Sequence, residues 1–92
     1  MFSQGIELFL MEFVRTQPQL VKTKYRYHCQ DAQGKLLFRY DDAPHHHVST
    51  FPHHKHVRTV AAGETIVASS PPSIELLVNE VVDLIEQAMQ DS

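Results

Sequence analysis

One cysteine in 92 residues has no partner for an internal disulfide and leaves too few thiols for a Cys-rich zinc site. Long apolar runs are missing too. Nothing approaches the roughly 20 residues a membrane span needs. Glu7 and Glu12 also interrupt the apolar N-terminus where a signal peptide would be continuous. Glycine and proline stay at three and five residues while 42% of the chain is hydrophobic, which argues against disorder. The expectation is a soluble cytoplasmic protein, one domain spanning residues 1–92. A chain of this size buries only about 60–65% of the surface its unfolded form exposes, so dimerisation or a bound partner would add to its stability.

Positive charge is scarce outside one segment. From Lys22 to Arg58 there are seven basic residues (Lys22, Lys24, Arg26, Lys35, Arg39, Lys55, Arg58) and three acids, a net of +4; the remainder carries Arg15 against eight acids, a net of −7. All seven histidines lie inside the basic segment as well. Such segregation suggests a region adapted to an anionic ligand, although a block of solvated charge gives the same pattern.

Residues 5–14 read as a strand, because the apolar run is short and Pro18 closes it. From Leu20 to Gln30 alternation is clean: Val21, Thr23, Tyr25, Tyr27 and Cys29 take one face, Lys22, Lys24, Arg26, His28 and Gln30 the other. The first face suits a core, which makes Cys29 a small buried hydrophobe and favours packing over base stacking for Tyr25, Tyr27 and Tyr40. Asp31 to Lys35 is a turn and Leu36 to Asp41 a second strand. A two-residue turn at Gln33-Gly34 sets Cys29 opposite Phe38, Tyr27 opposite Tyr40, His28 opposite Arg39 and Arg26 opposite Asp41. A three-residue loop would put His28 against Phe38 and mix the faces. A short strand is expected near Val57 and another over Gly63–Ala68. Ser70 is the expected N-cap of a helix beginning at Pro71, with Ile74, Leu77, Val78, Val81, Leu84, Ile85, Ala88 and Met89 forming its apolar stripe. The fold class is therefore α+β: a small antiparallel sheet of three to five strands with a C-terminal helix on its apolar face. Five acids and no base follow Ser73, a solvated helix face or one that meets a basic partner.

His54-Lys55-His56 is the sharpest local feature. Extended, it turns both imidazoles to one face and Lys55 to the other. His-x-His holds a divalent metal when other groups complete the set, and His45, His46, His47, His53 or Asp41 can do so. The same residues also serve metal-free RNA cleavage, in which a base takes the 2′-hydroxyl proton, an acid protonates the leaving 5′-oxygen and a cation stabilises the phosphorane. Imidazole titrates in the range both transfers need, and Arg and Lys supply the positive charge. His45, His46 and His47, taken singly, read equally as ordinary loop residues between Pro44 and Pro52.

Tyr25-Arg26-Tyr27-His28, Leu37 to His46 and Phe51 to His56 together resemble the TumE family, the toxin halves of two-gene toxin–antitoxin systems, and the resemblance extends from about Glu7 to Glu86. It implies inhibition by a cognate antitoxin, often one with a helix-turn-helix domain, and carries Arg26, Arg39, Asp41, His54, Lys55 and His56 over as matching positions. RNA-directed nuclease activity is the accompanying expectation. Arg26, Arg39 and Lys55 would bind phosphate, His54 and His56 would share acid–base duty, and Asp41 would orient Arg26 or a histidine. Lys22, Lys24, His28 and Arg58 would extend the nucleic-acid contact. No cofactor is called for. Two alternatives stand beside this reading: a non-enzymatic module that occupies a nucleic-acid or protein partner, and a metal nuclease built on His54 and His56. The loop is also richer in histidine than the family pattern, which fits local metal binding in this member.

Overall fold

The computed structural model describes residues 5–44, 46–59 and 63–90, apart from the side chains of Lys22 and Thr23. Five strands, β1 (Glu7–Arg15), β2 (Val21–Gln30), β3 (Leu36–Asp41), β4 (His54–Thr59) and β5 (Gly63–Ala68), precede one helix, α1 (Ile74–Gln90). Every strand pairs antiparallel with the next, in the order β1-β2-β3-β4-β5. The result is an α+β fold with an open meander sheet.

Residues opposite one another share a face, so the pairing divides the sheet cleanly. Leu10, Tyr27, Tyr40, Lys55 and Val67 form one row across all five strands, and Leu8, Cys29, Phe38, Val57 and Thr65 run beside it. Tyr25, Tyr27, Cys29, Phe38 and Tyr40 are buried here against Leu77 and Val81 of α1, with Leu84 and Ile85 packed at the margin. Cys29 is fully enclosed, and burial pushes its thiol up to about 11, which keeps it an unreactive core residue.

The β2–β3 register is the expected one, reached by another route. Asp31 and Lys35 close a three-residue loop: Gly34 N–H donates to the Asp31 carbonyl at 3.0 Å, and Asp31 N–H to the Lys35 carbonyl at 2.9 Å. Gly34 supplies the positive φ of 81° that this turn requires. The Asp31 carboxylate accepts the Gln33 and Lys35 N–H groups, each at 2.9 Å. The ladder then shifts between Cys29 and Gln30, so that Gln30 faces Leu36 while Cys29 still faces Phe38. The bulge absorbs the extra residue and returns every side chain to its proper face.

The helix begins later than expected. A residue before proline avoids the helical region, so Ser70 and Pro71, which precede Pro71 and Pro72, remain outside the helix. Ser73 is the cap: its Oγ accepts the Leu76 N–H at 3.1 Å. The apolar stripe is also narrower. Ile74, Val78 and Met89 are about half exposed or more, and the sheet is met by Leu77, Val81, Leu84 and Ile85, spaced at i, i+4, i+7 and i+8.

Leu77→Ala should lower the unfolding free energy by about 2–5 kcal/mol in urea titrations. Ile74→Ala should stay within about 0.5 kcal/mol of the parent, since its side chain stands largely in solvent.

Candidate active site on the histidine face

The other face of the sheet carries two polar rows. Met11, Arg26, Asp41, His54 and Ala68 stand opposite one another across the five strands; Phe9, His28, Arg39, His56 and Ile66 form the neighbouring row. Both rows are charged or titratable at their centres and apolar at their ends. Four of these side chains, Arg39, Asp41, His54 and His56, make a continuous contact network on β3 and β4.

Asp41 is 3% exposed, His54 1% and His56 6%, so the network lies beneath the surface. Burying such groups is costly unless each polar atom is engaged. Here they are, and among the described residues no buried side-chain nitrogen or oxygen lacks a partner. Asp41 Oδ1 lies 2.9 Å from His54 Nε2 and accepts the Ala43 N–H at 3.0 Å. Asp41 Oδ2 accepts from Arg39 Nε at 3.2 Å. The two imidazole Nε2 atoms approach to 3.2 Å, and Arg39 Nη2 reaches His56 Nε2 at 3.3 Å.

Each ring is anchored from behind. His54 Nδ1–H donates to the Pro52 carbonyl at 2.9 Å, and His56 Nδ1–H to Glu64 Oε1 at 3.1 Å. These contacts set the tautomers and direct both Nε2 atoms at a common point. His54 thus has an oxygen acceptor within reach of each ring nitrogen, Pro52 O at Nδ1 and Asp41 Oδ1 at Nε2. The Nε2 of His56 receives donors and is satisfied as neutral imidazole. Burial, Arg39 and His54 hold the pKa of His56 below its ordinary value, against the opposing pull of Asp41 and Glu64. His46, from the loop after β3, covers them edge-on with ring centroids 4.9 Å from His54 and 5.4 Å from His56.

Beside the network a cleft of about 290 Å³ is lined by Met11, Lys24, Tyr25, Arg26, Asp41, Asp42, Ala43 and Pro44. Lys24 and Arg26 are exposed at its rim, so a ligand there meets positive charge before reaching Asp41. His28, farther along the same face, is held by Gln30 at 3.0 Å. Arg58 is exposed opposite Glu64. The side chain of Lys22 lies outside the described residues, as does His45.

Lys55 is not with this group. Tyr40 faces it across the ladder, which puts it on the core face. Its Nζ pairs with Glu80 of α1 at 2.5 Å and sits 4.8 Å from the Tyr40 ring centroid. Glu80 also accepts the Tyr40 hydroxyl at 2.6 Å, and burial with this bond raises the Tyr40 pKa. Placing Lys55 beside the histidines fails on alternation within β4 itself. The tyrosines are likewise committed elsewhere: the Tyr25 hydroxyl meets His53 Nδ1 at 3.0 Å, and burial with the Asp42 and Asp41 charges pushes it up to about 12. His47 stacks on Phe51 away from the network. Two contributors were not anticipated: Glu64, and the position of His46. Glu64 sits two residues before Ile66, the partner of His56, so it carries a signal once the β4–β5 pairing is known.

A small open sheet with one covering helix and a buried acid–imidazole network defines an α+β protein with one polar, histidine-bearing face. The family model described as Toxin TumE matches residues 1–89, and the chain belongs to that toxin family. No curated protein and no solved structure matches it. No helix among the described residues is long and apolar enough to cross a membrane.

The depressed pKa of His56 makes a signed prediction. In the unfolded chain its pKa is near 6.5, so below that pH the unfolded state binds the proton first and stability falls as pH falls; above it the contribution is fully present. NMR titration should place the His56 midpoint below 6.5, and Arg39→Gln, which removes a repelling cation, should move it upward.

Proposed function

We propose that this toxin arrests growth by cleaving RNA at the histidine face. The observation that carries the reading is the contact of Arg39, Asp41, His54 and His56 beside a cleft that Asp41 shares with Lys24 and Arg26. Phosphate oxygens are attracted to Lys24, Arg26 and Arg39, and His28 and Arg58 lengthen the basic path for a single strand. To admit a phosphodiester, His46 leaves its edge-on seat and the strand takes its place. His56 Nε2 then accepts the 2′-hydroxyl proton. The 2′-oxygen attacks phosphorus, the bond to the 5′-oxygen breaks, and His54 Nε2–H protonates that leaving oxygen. The products are a 2′,3′-cyclic phosphate and a 5′-hydroxyl. Arg39 stabilises the extra negative charge at phosphorus, and Asp41 holds Arg39 and His54 in position.

Family membership points to an antitoxin partner, which we infer to carry a helix-turn-helix domain. Surface for a partner or for a second copy is abundant, since Phe9, Leu10, Met11, Phe13 and Val14 of β1 are all about half exposed.

In cells, the His54→Ala/His56→Ala variant should lose growth arrest while remaining soluble and folded by circular dichroism. Lys55→Gln should keep it, because Lys55 lies on the far side of the sheet. Arrest by the folded double-histidine variant would favour a toxin that only occupies its partner and would overturn the RNA-cleaving reading.

A further inference from the structure

We propose that His46, His54 and His56, with Asp41 beside them, bind one zinc-class divalent cation, and that the bound ion holds the RNA-cleaving imidazoles idle. The second half rests on the reading above; the first does not.

Two imidazole nitrogens that point at each other need something positive between them. One proton satisfies the pair, and so does one metal ion. With bonds of about 2.0–2.1 Å, two imidazole ligands on a tetrahedral zinc stand about 3.3 Å apart. The Nε2 atoms of His54 and His56 are 3.2 Å apart. One ring nitrogen from each of His46, His54 and His56 lies within 4.8 Å of the others, and His46 is on a loop that can close the remaining distance. Asp41 Oδ1 is 2.9 Å from His54 Nε2, and Oδ2 is 3.6 Å from His56 Nε2, which makes this carboxylate the natural fourth donor.

The surroundings are those of a ligand shell. Ligating imidazoles are held through their other nitrogen by a carbonyl or carboxylate. Pro52 O does this for His54 and Glu64 Oε1 for His56. An imidazole-rich set with one carboxylate selects zinc and its first-row neighbours rather than magnesium or calcium. The local charge also suits a dication, since Asp41 and Glu64 outweigh Arg39. Arg39 Nη2 must leave His56 when the ion enters, and its Nε contact with Asp41 gives it a place to stay.

Occupation has one chemical consequence. The lone pairs that would take and return protons become metal bonds, so an RNA strand meets imidazoles with nothing to exchange. Three imidazoles and a carboxylate fill a tetrahedral shell and leave no open position for an activated water.

The test is titration of untagged, chelator-stripped protein with zinc chloride, with bound metal counted by mass spectrometry after desalting and affinity measured against a chromogenic chelator. One zinc per chain is expected, with affinity at least about tenfold weaker in His46→Gln, a loop change that spares the sheet, and also weaker in Glu64→Gln. RNA cleavage by the stripped protein should fall at least about tenfold as zinc reaches one equivalent. No retained zinc, or unchanged affinity in His46→Gln, overturns the site. Cleavage undiminished in the fully loaded protein overturns the idling role. Failures of the two readings separate: stripped protein that cleaves RNA and takes no zinc sinks the ion site alone. One zinc per chain with no cleavage in either state supports the site and sinks the RNA reading.

Discussion

A strand can present only every second side chain to a given face, and five strands here keep that parity together. Everything chemical in the molecule follows from it. Arg26 faces Asp41, Asp41 faces His54, Arg39 faces His56, and none of these pairings survives a one-residue slip. The same slip would move Tyr27 and Phe38 out of the core, so the apolar face and the histidine face are fixed by one constraint. Stabilising the core stabilises the alignment of the site.

That coupling explains why the register was readable before the turn was. Apolar residues on β2 and β3 had to meet, which demanded Cys29 opposite Phe38 whatever the loop between them did. The turn obeys a separate preference: Asp31 caps two backbone N–H groups and Gly34 takes the left-handed position, a three-residue solution that leaves the ladder one residue out. The bulge beside Gln30 reconciles the two. Faces are set by burial of several side chains and turns by one or two local hydrogen bonds, so burial prevails and the turn adapts to it. The same contrast separates the helix stripe from its width. Periodicity places Leu77 and Val81 at its centre, but how far α1 rolls on the sheet depends on the shape of the tyrosine surface beneath, so Ile74, Val78 and Met89 were not separable from it in advance.

The site divides along similar lines. Asp41, His54 and His56 were legible as residue types on known strands. Glu64 and Glu80 were not, because each acts through a partner brought near only by folding: Glu64 by the β4–β5 ladder, Glu80 by the docking of α1 over Lys55. His46 is the harder case. It belongs to no periodic element, and nothing in a run of adjacent histidines says which one turns back over His54. Lys55 was legible by the alternation of its own strand, and residue type alone argued the other way.

A buried network of an acid and two imidazoles is a poor way to stabilise a small protein, since well-packed apolar side chains would serve at least as well. Its full satisfaction nonetheless makes it rigid. Placement on β3 and β4, away from both sheet edges, adds to that rigidity. The distribution of charge completes the picture. Lys55 is neutralised by Glu80 on the core side, and the acids Glu75, Asp83 and Glu86 ride on α1 behind the sheet. The exposed cations and the helix acids thus fall on opposite sides of the sheet, while Asp41 and Glu64 stay with the histidines. An anion approaching the histidine side meets Lys24, Arg26 and Arg58, while the field of the helix acids is set back by the thickness of the sheet and screened over about 8–10 Å at ordinary salt. The exposed cations of β2 and β4 therefore lie on one side of the sheet and the acids of α1 on the other, an asymmetry that the net charge alone does not reveal.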